Sequence, residues 1–290
     1  MKIHVYYHCA LMGRYREVMA EQIKAMKDSW LLDKADSLTA YQLTGDNKLY
    51  EMGDKWTVHT DTDLTRYEFP TLQMMRKHAF NEPESAFCYL HTKGVSKPKF
   101  RQWLDDEWRR YMEFNIIDRW DECADGIRRG CDLAGCEWYR RLRPCRTGGI
   151  PDPEFQGFFA GNFFWASGRY LTTCPGIDSL DRQDRWQAEA WVGCGYKPII
   201  HELLNLRCDE RRGMFFRRFC RASYEYYHNI YWIDIINPAN AKRRVHRYIK
   251  DHCGTECIVF VRGLNQKYLD LPNAFQVCTE PRIYHYRVEI

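Results

Sequence analysis

The first chemistry this sequence offers lies at the end of an apolar run. Ala86-Phe87-Cys88-Tyr89-Leu90 is long enough for one buried strand and stops abruptly at His91-Thr92-Lys93-Gly94. In an open α/β sheet, ligands occupy the crevice beyond the carboxyl ends of the strands. There Lys93 supplies a compact positive charge, Thr92 a hydroxyl, and Gly94 a backbone that a ligand can approach. The set suits a phosphate or diphosphate, and it also reads as an ordinary strand end with a solvated lysine. A second stretch, residues 155–170, reads FQGFFAGNFFWASGRY. Its aromatics make an apolar wall with one amide, Asn162, set into it, which suits the C–H faces of a sugar as well as it suits a buried strand with a bulge. Third, Arg185-Trp186-Gln187-Ala188-Glu189-Ala190-Trp191 places one carboxylate between two tryptophans. A carboxylate in an apolar setting has a raised pKa and can act as a general base.

The elements that position these groups read as strand, helix, strand. Ile3 to Cys9 has the β-branched and aromatic bias of a first strand, and an amphipathic helix over 14–29 follows it. Strands are expected near 38–43 and 56–59, then a helix over 70–80 with Pro70 in its first turn. After the 86–90 strand the spacing predicts one long helix over 100–129, whose tryptophans form a core stripe, and a strand over 132–138. The Arg-, Gly- and Pro-rich residues 140–153 suit a surface loop near a site. From about residue 207 the composition shifts. Helices are expected over 211–227 and 239–251, and strands near 231–236, 257–261 and 282–290. The predicted organisation is a main domain at 1–206 and a small C-terminal α/β appendage at 207–290.

Bulk composition excludes several function classes. The net charge of +4 is too mild to argue for nucleic acid. No apolar run approaches the roughly 20 residues needed to span a bilayer. The 13 cysteines are an odd number in a chain that opens directly into a strand, so they read as reduced thiols in the cytoplasm.

Together these pieces resemble a family of GT-A-like glycosyltransferases found in bacteria and in large algal viruses of the chlorovirus kind. The resemblance rests on His8, Met12-Gly13, Tyr15 and Glu21-Gln22; on Tyr89 through Val95; on Gly161-Asn162-Phe163-Phe164-Trp165-Ala166; and on Arg185 with Ala188-Glu189-Ala190-Trp191. It implies a Rossmann-type mixed sheet flanked by helices, and transfer of a sugar from a nucleotide diphosphate to a glycan acceptor, in the host cytoplasm where the chain is viral. Tyr6, Tyr7 and His8 would then line the nucleotide, with Asp63 and Arg66 near its base, and His91, Thr92 and Lys93 would hold the diphosphate. Asn162, Phe164, Trp165 and Trp191 would contact sugars, and Glu189 or Asp152 would deprotonate the acceptor. The viral side of the resemblance points to a pentose or deoxyhexose, UDP-xylose first. Two departures stand out. Phe158 and Phe159 occupy positions where the family carries histidine and phenylalanine, and the fourth strand ends in His91-Thr92-Lys93 where such enzymes carry a metal-holding Asp-x-Asp. The expected enzyme therefore needs no metal cofactor, Lys93 doing the neutralising, and with Glu189 or Asp152 as the one carboxylate base of a single in-line displacement it is expected to be inverting. The alternatives are a Mn2+ or Mg2+ enzyme using Asp61 and Asp63, and a carbohydrate-binding protein without catalysis.

Overall fold

The computed structural model describes residues 1–46, 48–96, 99–139, 155–180 and 184–204, together with four later strands. The chain divides into two compact units, Met1–Arg207 and Cys208–Ile290. The first contains β1 (Ile3–Ala10), α1 (Tyr15–Asp28), α2 (Leu31–Lys34), β2 (Ser37–Leu43), β3 (Trp56–Asp61), α3 (Phe69–Asn81), β4 (Ala86–His91) and α4 (Lys99–Glu113). It continues through α5 (Trp120–Arg128), β5 (Leu133–Cys136), β6 (Trp138–Tyr139), β7 (Phe158–Phe159), β8 (Phe164–Ser167), α6 (Gly168–Thr173), α7 (Trp186–Ala190) and β9 (Ile200–Leu204). Seven strands form one sheet in the order β3-β2-β1-β4-β8-β5-β9. β8 runs antiparallel to both its neighbours, and the remaining pairs are parallel. This is the GT-A-like, Rossmann-type mixed sheet flanked by helices that the sequence predicts.

Register decides which side chain goes where. Tyr6 pairs with Tyr89 and His8 with both His91 and Tyr41, so these residues share one face. Helix α3 covers that face: Thr71 Oγ1 lies 2.9 Å from His8 Nδ1, and His78 Nδ1 lies 2.9 Å from the Tyr6 hydroxyl. On the other face Tyr7 donates its hydroxyl to Gln22 Oε1 of α1 at 2.5 Å. Val18, Met19, Gln22 and Met26 are the buried stripe of α1, and its one polar member is explained by Tyr7 and by a 3.2 Å bond from Gln22 Nε2 to the His91 carbonyl.

The expected long helix over 100–129 is broken. A π-turn at Phe114–Asp118 separates α4 from α5 and is closed by Arg119 N–H donating to the Phe114 carbonyl at 3.1 Å. Asn115 reaches back to the Tyr111 carbonyl at 2.8 Å, and the Ile116 carbonyl accepts the Trp165 indole N–H at 2.9 Å. The break lets the chain follow the sheet while a strand tryptophan satisfies a helix carbonyl. The strand expected over 132–138 is likewise interrupted, by Glu137 at φ 57° between β5 and β6.

In the second unit β10 (Ile230–Asp234), β11 (Glu256–Arg262), β12 (Ala274–Gln276) and β13 (Ile283–Arg287) form a four-stranded sheet ordered β10-β11-β13-β12. The expectation of three strands missed β12, which is only three residues long. The helices expected over 211–227 and 239–251 lie outside the described residues. Among the described residues no helix is long and apolar enough to cross a membrane.

Candidate functional site at the carboxyl edge of the sheet

The loops after β1 and β4 are locked together at the edge where ligands of such sheets bind. Gly13 has φ 54°, and a Cβ there would sit 1.9 Å from the Val95 carbonyl oxygen, so backbone touches backbone and only glycine fits. Arg14 N–H donates to that carbonyl at 3.3 Å. The Thr92 hydroxyl accepts the Ala10 N–H at 2.8 Å and is buried, so it joins the ends of β1 and β4 and its oxygen is already engaged. Gly94, at φ 83°, turns the chain against α4, where a Cβ would meet Asp105 at 2.8 Å.

A polar cluster occupies the end of the face covered by α3. Glu68, immediately before α3, accepts the Tyr89 hydroxyl at 2.8 Å and the Asn162 amide at 2.5 Å. Its other oxygen lies 3.6 Å from His91 Nδ1. His91 donates from Nε2 to the Gly161 carbonyl at 2.9 Å, which fixes the neutral ring as the Nε2–H tautomer. Burial, then the neighbouring Lys93 ammonium, lowers the His91 pKa to about 4, and burial holds His8 at about 4 as well. Both rings are therefore neutral at physiological pH. Asn162 is fully buried at φ 59°, and its Oδ1 has no hydrogen-bond partner among the described residues. The cluster thus keeps one unmatched acceptor.

Glu189 closes this edge from α7. Burial raises its pKa, Lys93 and then His91 and Arg185 pull it back, and the Glu68 charge reinforces the rise. The side chain remains partly exposed. Trp186 stands one helical turn earlier and is 43% exposed, with the Arg185 guanidinium 4.9 Å from its ring centre. Lys93 Nζ lies 4.3 Å from the centre of the Trp108 ring, which holds the ammonium over an aromatic face.

At the ends of β2 and β3 a cleft of about 300 Å³ is lined by Thr44, Leu49, Thr60, Asp61 and Thr62. Asp61 accepts the Tyr41 hydroxyl at 2.6 Å and Arg66 Nη1 at 2.5 Å. With the Asp63 N–H also donating to it, the Asp61 carboxyl is held down at about 2. The Asp63 side chain accepts from the N–H and hydroxyl of Thr65, capping the turn before α3. Both carboxylates expected as metal ligands in the alternative reading are thus engaged by protein donors.

The structure brings His8, His91, Lys93, Asn162 and Glu189 to one edge and places Asp63 and Arg66 beside the cleft on the same side of the sheet. Tyr6 and Tyr7 are buried beneath, on opposite faces, bonded to α3 and α1. Phe164, Trp165 and Trp191 have no exposed surface. Phe164 stacks on Tyr89 at 5.2 Å, and the Trp191 indole donates to the Pro175 carbonyl at 3.0 Å. The expected aromatic wall is a piece of core, because adjacent residues of β8 point to opposite faces and both faces are covered. Asp152 lies outside the described residues. Glu68 and Trp186 were missed as site residues. A glutamate directly before Phe69-Pro70, where a strand hands over to a helix, was the available signal for the first.

A sequence-family profile described as a domain of unknown function, DUF8361, matches residues 4–182. Among curated proteins none matches the chain. The crystal structure of the Rv0371C complex with manganese from Mycobacterium tuberculosis H37Rv is similar over 77% of this chain and 100% of that one. The identity is 11% and the TM-score 0.37.

Proposed function

The chain belongs to the DUF8361 family, and because that description assigns no chemistry we propose the function from the site itself: an inverting glycosyltransferase that uses a nucleoside diphosphate sugar. The observation that carries the reading is Glu189, a carboxylate with a raised pKa beside the Lys93 ammonium at the carboxyl end of β4. Base and cation are the two charges a single in-line displacement needs. Glu189 takes the proton of the acceptor hydroxyl, the freed oxygen bonds to the anomeric carbon, and the bond from that carbon to the diphosphate breaks. Lys93 takes up the negative charge left on the diphosphate. The cleft by Asp61, with Asp63 and Arg66 beside it, receives the base and ribose. Asn162, with its unmatched Oδ1, and the neutral His8 and His91 form the floor beneath the donor, and the exposed Trp186 ring is a stacking surface for the acceptor sugar. UDP-xylose is the first donor to test. The transfer chemistry is assigned to residues 1–206, and the C-terminal unit carries none of it.

Lys93→Ala is expected to weaken UDP-sugar binding by about 1.5–3 kcal/mol, the range for one charge-assisted contact. Titration calorimetry checks this, and an unchanged dissociation constant would make Lys93 a surface group. Turnover is expected to persist in EDTA, since the β4 end offers an ammonium and Asp61 is already paired with Arg66. A loss that manganese or magnesium restores would return Asp61 and Asp63 to metal binding.

A further inference from the structure

At the opposite, amino-terminal edge of the same sheet, three side chains unrelated to the transfer reading converge. His4 is on β1, His78 is in the last turn of α3, and Glu82, its C-terminal cap residue, follows four positions later. One ligand atom from each lies within 4.8 Å of the others, the one such group among the described residues. His4 Nε2 is 3.0 Å from Glu82 Oε2, and His78 Nε2 is 3.7 Å from Oε1. Ligand atoms held about 2.0–2.1 Å from a tetrahedral ion stand roughly 3.3 Å apart, so these separations already span a coordination edge.

The surrounding shell is also of the kind that orients metal-binding imidazoles. Ser37 Oγ lies 2.8 Å from His4 Nδ1, and the Tyr6 hydroxyl lies 2.9 Å from His78 Nδ1. Each ring thus has its Nδ1 held by a hydroxyl, which leaves both Nε2 atoms for the carboxylate between them. His4 is buried, so its ring is held in place among these partners. The site already attracts a cation, because Lys2 Nζ approaches Glu82 Oε1 at 3.0 Å from the exposed side. Lys2 is well exposed, so an ion would displace a solvent-facing partner.

We propose that His4, His78 and Glu82 bind one divalent ion of the zinc class, with a fourth position open to water. Two imidazoles and one carboxylate favour zinc over magnesium or calcium, which take oxygen-rich sets. The ion would clip the end of α3 to the start of β1. Glu68 and Glu82 bracket the 13-residue α3 and so stand about 20 Å apart at 1.5 Å per residue, which keeps the ion clear of the transfer edge.

The test uses the full chain, stripped of metal and titrated with Zn2+ alone. One saturable equivalent is expected, with a Tm rise of about 5 °C or more at a hundredfold excess over the dissociation constant. His78→Ala, at a partly exposed position, is expected to lose the zinc-dependent rise whatever its own metal-free Tm, with affinity down at least about 100-fold. Should His78→Ala not fold, His78→Gln, which can keep a bond to Tyr6, serves the same comparison. Co2+ bound by nitrogen and oxygen should show tetrahedral ligand-field bands without thiolate charge transfer. Absence of a saturable equivalent, equal binding by the variant, or a thiolate band that moves the ion to cysteine would each overturn the site. None of these readouts depends on the protein transferring a sugar.

Discussion

Glu189→Gln is expected to lower turnover about 100-fold or more while leaving donor affinity nearly intact. The substitution keeps the shape of the side chain and one hydrogen-bonding oxygen, and removes only the ability to accept a proton. The wild-type pH profile carries the same information. Burial moves the Glu189 pKa above the ordinary carboxylate range, so turnover should fall as pH drops through that raised value, and the limb should vanish in Glu189→Gln. Single-turnover rates with UDP-xylose, or whichever nucleotide sugar raises the Tm in a screen, measure both effects. Near-normal turnover in Glu189→Gln together with a dead Asp152→Asn would move the base to Asp152 and leave Glu189 as a ligand for an acceptor hydroxyl.

How far the site was readable follows from what each signal depends on. The β4 end was legible because a continuous apolar run cut off by His91-Thr92-Lys93 is a one-dimensional feature, and parallel strands buried on both faces produce it directly. Glu189 was legible for a similar reason, as one carboxylate in an apolar helix. The aromatic stretch supports two readings on sequence, a sugar-binding wall and a buried strand with a bulge. Phe164 and Trp165 alternate across β8, and whether either face meets solvent depends on α3 and on the π-turn that brings the Ile116 carbonyl to the Trp165 indole. No local pattern carries that. The contacts of Glu68 were not legible for the same cause: its partners Tyr89 and His91 on one side and Asn162 on the other are distant in the chain and meet only through the pairing of β4 with β8.

The largest effect on stability is expected from Arg109→Met in α4. Arg109 is 1% exposed and ion-paired with Glu21, with Asp106 at 2.8 Å and with Glu113 at 3.1 Å, the last out of hydrogen-bond alignment. Methionine fills the space, yet it leaves the 3% exposed Glu113 without its counter-charge, and removing one partner of such a buried set costs about 3–5 kcal/mol. The loss should depend on pH in a definite direction. Burial already pushes the Glu113 carboxyl up to about 7, with Arg109 the first influence pulling it back, so the variant raises it further. A raised folded-state pKa contributes stability that is fully present below the unfolded value of 4.5 and is lost as pH rises through the folded value. Glu21 works in the same sense. Burial opposes its ionisation, but hydrogen bonds from Arg110 and Arg109 hold its pKa down, a stabilisation present above the unfolded value that Arg109→Met forfeits. Denaturant unfolding at about pH 5.5 and about pH 8 should therefore show a modest deficit in acid and the full deficit in base. The same loss at both, or a loss under about 1 kcal/mol, would mean that water reaches these carboxylates once the guanidinium is gone. The Arg109 backbone lies one α4 turn beyond Asp105, against which Gly94 packs, so a fall in UDP-sugar affinity alongside the deficit that grows in base would trace the Lys93 turn to this buried charge network.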